Sequence, residues 1–325
     1  MSQGDMSQGD MREDYLWDRS GAPDIEVARL EKLLGQLAHK EFAHKPAPSV
    51  PVRKTPRTLW WLAAAAVLIA AIAVPLATRG KPSDWRYSTS NEQAKGIRTG
   101  HLIQTGDKQE VTLESRSTGE LQVDANSRLR LVAADNQQRF KLEQGTIHAL
   151  IWAPPGRFVV DTPAARTVDL GCRYTLHMEK DGVGLLTVDM GWVAFEWKGL
   201  ESFIPAGAAC KTRPNRGPGT PWFTDASPEL RAALEQYDEK PGSETLTKAL
   251  ALARPKDAMT VWHLMTRSKG EARGQAYDAL AKLAPIASVT TRDAILRGET
   301  PAIDAAWNAL DLGAVEIWRN WKRTY

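Results

Sequence analysis

Cysteine is nearly missing from this chain of 325 residues, which holds only Cys172 and Cys210. None precedes Cys172, so the N-terminal part has no thiolates with which to build a zinc site. Histidine is scarce as well: His39, His44, His101, His148, His177 and His263. None has another at metal-ligand spacing beside a carboxylate or thiol. There is no Gly-x-Ser-x-Gly elbow, no phosphate-cradling Gly-x-x-x-x-Gly-Lys and no dinucleotide fingerprint. Strong charge of one sign is absent too. The net charge is +3, and no stretch gathers Lys and Arg as a nucleic-acid footprint would. These absences predict no enzyme, no metal, no cofactor and no direct contact with nucleic acid.

What is present belongs to a folding chain: 42% hydrophobic and 25% charged residues. The length allows two compact domains, or one with appendages. Residues 1–10 repeat MSQGD and read as a duplicated, disordered start. Residues 59–77, LWWLAAAAVLIAAIAVPLA, carry no charge. As a helix they would measure about 28 Å, close to a bilayer's hydrocarbon thickness. They predict a single transmembrane helix with Trp60 and Trp61 at one interface. Basic residues fence both ends, and their count favours a cytoplasmic N-terminus by one residue, which decides little.

Before that run, residues 11–45 predict a helical arm and 46–58 a Pro-rich linker. From Asp24 to His44, Val27, Leu30, Leu34 and Leu37 recur at three- and four-residue steps, and Leu33 widens the stripe. So short an arm has little core of its own. The stripe has to be covered by a partner, a second copy or the membrane surface, or by Leu16 and Trp17 in a helical hairpin.

Beyond the membrane run residues 78–213 are expected to form a β domain, and from about Thr99 to Thr212 the pattern turns to period two. Val111/Leu113, Leu121/Val123, Leu129/Leu131, Phe140/Leu142 and Ile147/Ala149/Ile151 alternate with polar neighbours. Turn residues separate them, Gly145 and Pro154-Pro155-Gly156 among them. The form Gly-x-apolar-x-Val-Asp occurs at Gly119–Asp124, Gly156–Asp161 and Gly184–Asp189. Each of these acids is expected to bond the backbone of the next turn.

The run from Val159 to Trp197, closed by Ala206-Gly207, resembles the FecR domain of single-pass bacterial regulators of extracytoplasmic-function sigma factors. The features that carry the resemblance are Val-x-Thr-Pro-x-Ala at Val160–Ala165, Gly171 before a strand, and Val188-x-x-Gly191-x-Val193. It covers roughly residues 98 to 212. The resemblance implies a periplasmic β domain of wound, solenoid-like strands and a cytoplasmic arm that grips a sigma factor, in the inner membrane. The arm is shorter than is usual in that family, and no receptor-contacting subdomain is recognisable.

Residues 214–226 read as a linker and 227–325 as a helical domain. Pro228–Tyr237, Glu244–Ala253, Ala258–Thr266, Glu271–Leu283 and Pro301–Leu310 are each amphipathic. A stack of antiparallel helices is expected, with HEAT-like pairing as one form of it. Trp262, Trp307, Trp318 and Trp321 are expected to serve as packing. In an oxidising compartment the two cysteines permit a Cys172–Cys210 disulfide.

The expected fold is therefore mixed and multi-part: a helical arm, one transmembrane helix, a solenoid-like β domain and an all-α tail. The expected function is anti-sigma-like regulation. The partners are a sigma factor at the arm and an unknown periplasmic protein or ligand beyond the membrane. The alternative is an envelope binding or scaffold protein in which the arm is only a retention signal.

Overall fold

Asp24 opens the first helix, α1 (Ile25–Gly35), by accepting from the backbone N–H of Glu26 through its carboxylate and of Ala28 through its carbonyl. The computed structural model describes residues 24–35, 80–89 and 92–313. The chain divides into two units, Met1–Ala66 and Val67–Tyr325, and α1 belongs to the first. The remainder of the expected arm helix, 36–44, lies outside the described residues.

The second unit begins with strands: β1 (Pro82–Thr89), β2 (Glu92–Arg98), β3 (Leu102–Gln104), β4 (Val111–Ser115), β5 (Gly119–Val123), β6 (Arg128–Ala134), β7 (Gln138–Ile151) and β8 (Phe158–Asp161). It continues with β9 (Arg166–Asp169), β10 (Arg173–Met178), β11 (Gly184–Met190), β12 (Trp192–Trp197), β13 (Leu200–Pro205), β14 (Ala208–Arg213), β15 (Gly217–Pro218) and β16 (Trp222–Phe223). The period-two positions are the inward ones: Leu113, Leu121, Leu129, Leu131, Phe140 and Ile147 are all fully buried.

Two sheets share β7. Its residues 138–144 pair with β6, and its residues 145–150 with β10. The first half also pairs with β8 in parallel, Gln138 opposite Phe158. Geometry then requires a bend. A straight strand of fourteen residues would part its ends by about 43 Å. The chain from Ile151 back to Phe158 can span at most about 25 Å. The bend falls at Gly145, which has φ +91°. A Cβ there would lie 2.1 Å from the Ser127 hydroxyl oxygen, and that hydroxyl accepts from the N–H of Thr146 at 2.9 Å. Gly145 was expected to be a turn between two strands; it is a corner within one.

Two further sheet-changing corners lie at 170–172, between β9 and β10, and at Gly191, between β11 and β12. They rest on each other: a Cβ on Gly191, with φ +74°, would sit 2.0 Å from the carbonyl oxygen of Gly171. Between the sheets, Trp85 is fully buried with its ring 5.2 Å from Phe140.

The helices follow: α2 (Pro228–Glu239), α3 (Ser243–Leu252), α4 (Ala258–Arg267), α5 (Gly270–Leu283), α6 (Arg292–Arg297) and α7 (Thr300–Asn308). The five expected helices are all present, and α6 is additional. One apolar core runs from the β strands into α4, α5 and α7, where Trp262 and Trp307 meet edge to face at 4.8 Å. Trp318 and Trp321 lie outside the described residues.

Three expectations need correction. Among the described residues no helix is long and apolar enough to cross a membrane, so the expected transmembrane helix has no counterpart. The longest described helix, α5, has fourteen residues, about 21 Å, and carries Glu271, Arg273, Asp278 and Lys282. The run 59–77 lies outside the described residues. Second, the β domain is not wound as a solenoid. Its ladders are antiparallel apart from β7–β8, whereas stacked coils would pair in parallel. Third, the stretch 214–226 holds β15 and β16, both paired with β14, where a linker was expected.

Gly145→Ala should lower the unfolding free energy by about 2–4 kcal/mol, from left-handed strain and the clash with Ser127. Urea denaturation monitored by tryptophan fluorescence checks this, and an unchanged midpoint would mean that β7 does not need the glycine.

Candidate functional site

The stripe expected to bind a partner is largely bare. On α1, Leu30, Leu33 and Leu34 are 57%, 56% and 62% exposed, and Val27 is half-buried. Leu37 lies outside the described residues. Ile25, in the first turn, is 86% exposed. Three contiguous exposed leucines on one short helix form a surface that loses free energy to water until something covers it.

In the β domain, the Val-x-Thr-Pro-x-Ala motif forms the turn joining β8 to β9. The Thr162 hydroxyl accepts from the N–H of Ala164 and of Ala165, at 3.2 and 2.9 Å, and donates to the Ala165 carbonyl at 2.7 Å. Val160, Ala164 and Ala165 carry the motif into the core. Beside this turn an open groove of about 520 Å³ runs to the β12–β13 hairpin. Lys198 and Gly199, at φ +47° and +82°, make the two-residue turn of that hairpin. The Lys198 ammonium lies 4.6 Å from the Trp197 ring centroid. The groove thus presents a cation on an indole beside the Arg166 and Asp161 ion pair, a lining suited to polar and charged contacts.

The repeated acids do not bond the next turn as expected. Asp161 pairs with Arg139 and Arg166, Asp124 accepts from His148 Nε2 at 3.0 Å, and Asp189 is exposed. His148 Nδ1 also meets the Thr175 hydroxyl at 2.9 Å, so Asp124, His148 and Thr175 form a relay on the open face of the sheet. Thr175 sits mid-strand between β7 and β11, its backbone taken up in the two ladders. The relay therefore has no free N–H pair beside the hydroxyl to receive an oxyanion. Local sequence gave no sign of it, because its members come from three strands. Among the described residues no cluster of three or more His, Cys, Asp or Glu could hold a metal ion.

The permitted disulfide is not formed: both thiols are free and buried. Cys210 faces Leu186, which faces Leu176, and Cys172 lies four residues further along that strand. That places the pair about 16 Å apart, against a limit of about 7 Å between Cα atoms. Cys210 donates to the Gly219 carbonyl at 3.2 Å, and burial pushes its pKa up to about 12. Cys172 donates to the buried Asp169 carboxyl, which also accepts from the Gly171 N–H at 2.7 Å. Burial raises the Asp169 pKa to about 7 against the opposing pull of those two donors, and burial likewise raises the Cys172 thiol.

Asp169 makes stability pH-dependent. Below about pH 4 folded and unfolded chains both hold its proton. Between there and about 7 only the folded chain keeps it, so this group's contribution to stability falls as pH rises. The unfolding free energy of Asp169→Asn should therefore gain on that of the parent by about 3–4 kcal/mol between pH 4 and pH 8. A constant difference across that range in urea titrations would show that Asp169 titrates alike in both states.

The motif turn and both resting glycines fall within residues 101–193, which match the family model described as FecR protein. No curated protein matches the chain. Two solved structures of a candidate anti-sigma factor from Parabacteroides distasonis, at 2.50 and 1.65 Å, are similar to it. Each is 13% identical with a TM-score of 0.33 over 42% of this chain. The chain spans 64% and 65% of their lengths. The likeness to FecR protein is thus confined to residues 101–193, where Thr162 closes its turn and Gly171 and Gly191 meet at the corners.

Proposed function

We propose that the chain is a regulator of the anti-sigma type, in which α1 holds a sigma factor and the FecR-family β domain receives the signal. The observation that carries this reading is the FecR match over 101–193; the bare leucine face of α1 supports it. A helix offering Leu30, Leu33 and Leu34 suits a groove between the helices of a partner, where i, i+3, i+4 anchors dock together. The role is binding and signalling rather than catalysis. The β domain is placed on the periplasmic side, with the groove beside the Thr162 turn as its contact surface for a protein or ligand.

Leu34→Asp should weaken sigma-factor capture by the full chain at least a hundredfold, because an unpaired carboxylate would enter an apolar contact. Co-purification from the source cells followed by mass spectrometry reads this, with raised expression of the sigma factor's target genes as the second signal. Undiminished capture would remove α1 from the interface. Recovery of no sigma factor by the parent chain would favour the envelope scaffold reading, which the added helices also suit. Alkaline phosphatase fused after Gly313 should be active and green fluorescent protein there dark; the reverse pattern would put the β domain in the cytoplasm.

A further inference from the structure

A cavity of about 430 Å³ lies where α2 covers the outer face of β11 and β14. Its walls are apolar: Leu185 of β11, Trp222 of β16, and Ala232 and Leu234 of α2. Leu185 stays 41% exposed although it stands beside this wall. Register places it there, since Leu185 is opposite His177 on one side and Lys211 on the other.

The polar part of the lining is unevenly charged. Lys211 and Arg213 both donate to the same Glu235 oxygen, Lys211 at 2.7 Å. That sharing holds the Glu235 carboxyl below its usual range, with Lys211 the chief cause. Arg231, also in the lining, makes no ion pair among the described residues. Asp238 is engaged elsewhere, accepting from the N–H and hydroxyl of Thr220 and lying 3.7 Å from Arg267. Of the three cations in the lining, Lys211 and Arg213 are thus held by Glu235, with Glu239 3.8 Å from Arg213, and Arg231 is the one with no ion pair among the described residues.

We propose that this cavity binds a small organic monoanion with an apolar body, its carboxylate received by Arg231 and Lys211 and its body lying against Leu185, Trp222 and Ala232. The size falls within the range of small-molecule sites, and the lining has their usual form of apolar walls with a few convergent polar groups. Arginine suits a carboxylate because its planar fork can donate two parallel hydrogen bonds. The ligand would bridge α2 to the β11–β14 ladder, where Glu235 already joins them. The proposal is independent of the anti-sigma reading, since none of its residues lies on α1 and only His177, Glu179, Val183, Gly184 and Leu185 of the lining fall within 101–193.

The probe is 4-butylbenzoate, titrated calorimetrically into the full chain, with 4-butylbenzyl alcohol and 4-butylbenzylamine as neutral and cationic counterparts. Saturable one-to-one binding of the carboxylate is expected, at least tenfold tighter than that of the alcohol and with no measurable binding of the amine. Ala232→Trp fills the cavity from an exposed helix position and should abolish binding with the melting temperature unchanged. Arg231→Gln, a surface change that leaves the fold alone, should weaken the carboxylate about tenfold and the alcohol hardly at all. Absence of saturable binding to the parent chain, equal binding of carboxylate and amine, or unaltered carboxylate affinity in Arg231→Gln would each overturn the proposal.

Discussion

The β domain depends on one strand serving two sheets. If β7 ran straight, β8 could not return beside its first half, because the connecting loop is too short by roughly 18 Å. Bending at Gly145 solves the connection and creates the two-layered core together, since the residues before and after the bend face the same interior. The strands that follow inherit the arrangement. Each time the chain changes sheets it turns a corner, and Gly171 against Gly191 shows why glycine occupies two of them: a Cβ on Gly191 would lie 2.0 Å from the Gly171 carbonyl oxygen, far inside van der Waals contact.

A second constraint joins the helices to the strands. The guanidinium of Arg267 at the end of α4 reaches the Ser202 hydroxyl of β13, the Gly219 carbonyl at 2.9 Å and the Thr220 hydroxyl at 3.2 Å. Asp238 of α2 lies 3.7 Å away, so one buried cation on α4 touches the sheet and a second helix. Burial pulls the Arg267 pKa down and Asp238 restores part of it, while burial raises the carboxyl of Asp238. Removing either partner would strand the other away from water, which makes the pair a condition of docking more than a source of stability. His263 supports the same junction as a neutral ring. Its Nδ1 donates to the Met259 carbonyl at 2.9 Å, leaving Nε2 to accept from the Phe203 N–H at 3.1 Å. Burial, with the nearby Arg267 cation second, lowers its pKa to about 3, so it holds this tautomer across the physiological range.

The alternation of Val111, Leu113, Leu121 and Val123 was legible because a strand with one buried face writes period two into its own residues. The α2 to α5 and α7 stripes were legible for the corresponding reason at period 3.6. Strand pairing was not, because it depends on residues far apart in the chain. Three similar Gly-x-apolar-x-Val-Asp units suggested a loose stack of like β units, yet β5, β8 and β11 occupy unrelated places in the two sheets. Their acids differ accordingly: Asp124 meets a histidine, Asp161 two arginines, and Asp189 is exposed on the surface. The stretch 214–226 looked like a linker because its prolines and glycines hide strands of only two residues, too short to show any period. The Arg267 junction and the cavity under α2 were invisible for the same reason as the pairing.

This division bears on where specificity resides. The residues that carry the FecR pattern are turn-closers, corners and core: Thr162 bonds its own hairpin, Gly171 and Gly191 press on each other, and Val188 and Val193 are buried. Such positions dictate that a chain takes this fold and leave its recognition chemistry open. Recognition has to lie in side chains that the pattern does not constrain. Two places meet that condition in the second unit: the Lys198–Trp197 pair beside the Thr162 turn, and the wall that α2 adds over β11 and β14. The latter exists because α2 is seated on the sheet, held by Asp238 to Arg267 and by Glu235 to Lys211 and Arg213. Occupation of that cavity and the seating of α2 are then two aspects of one equilibrium. A ligand that binds the docked helix stabilises its docking by the same free energy with which docking favours the ligand. Glu235 sets the balance, since it already draws Lys211 and Arg213 to the helix and must share them with any anion that enters.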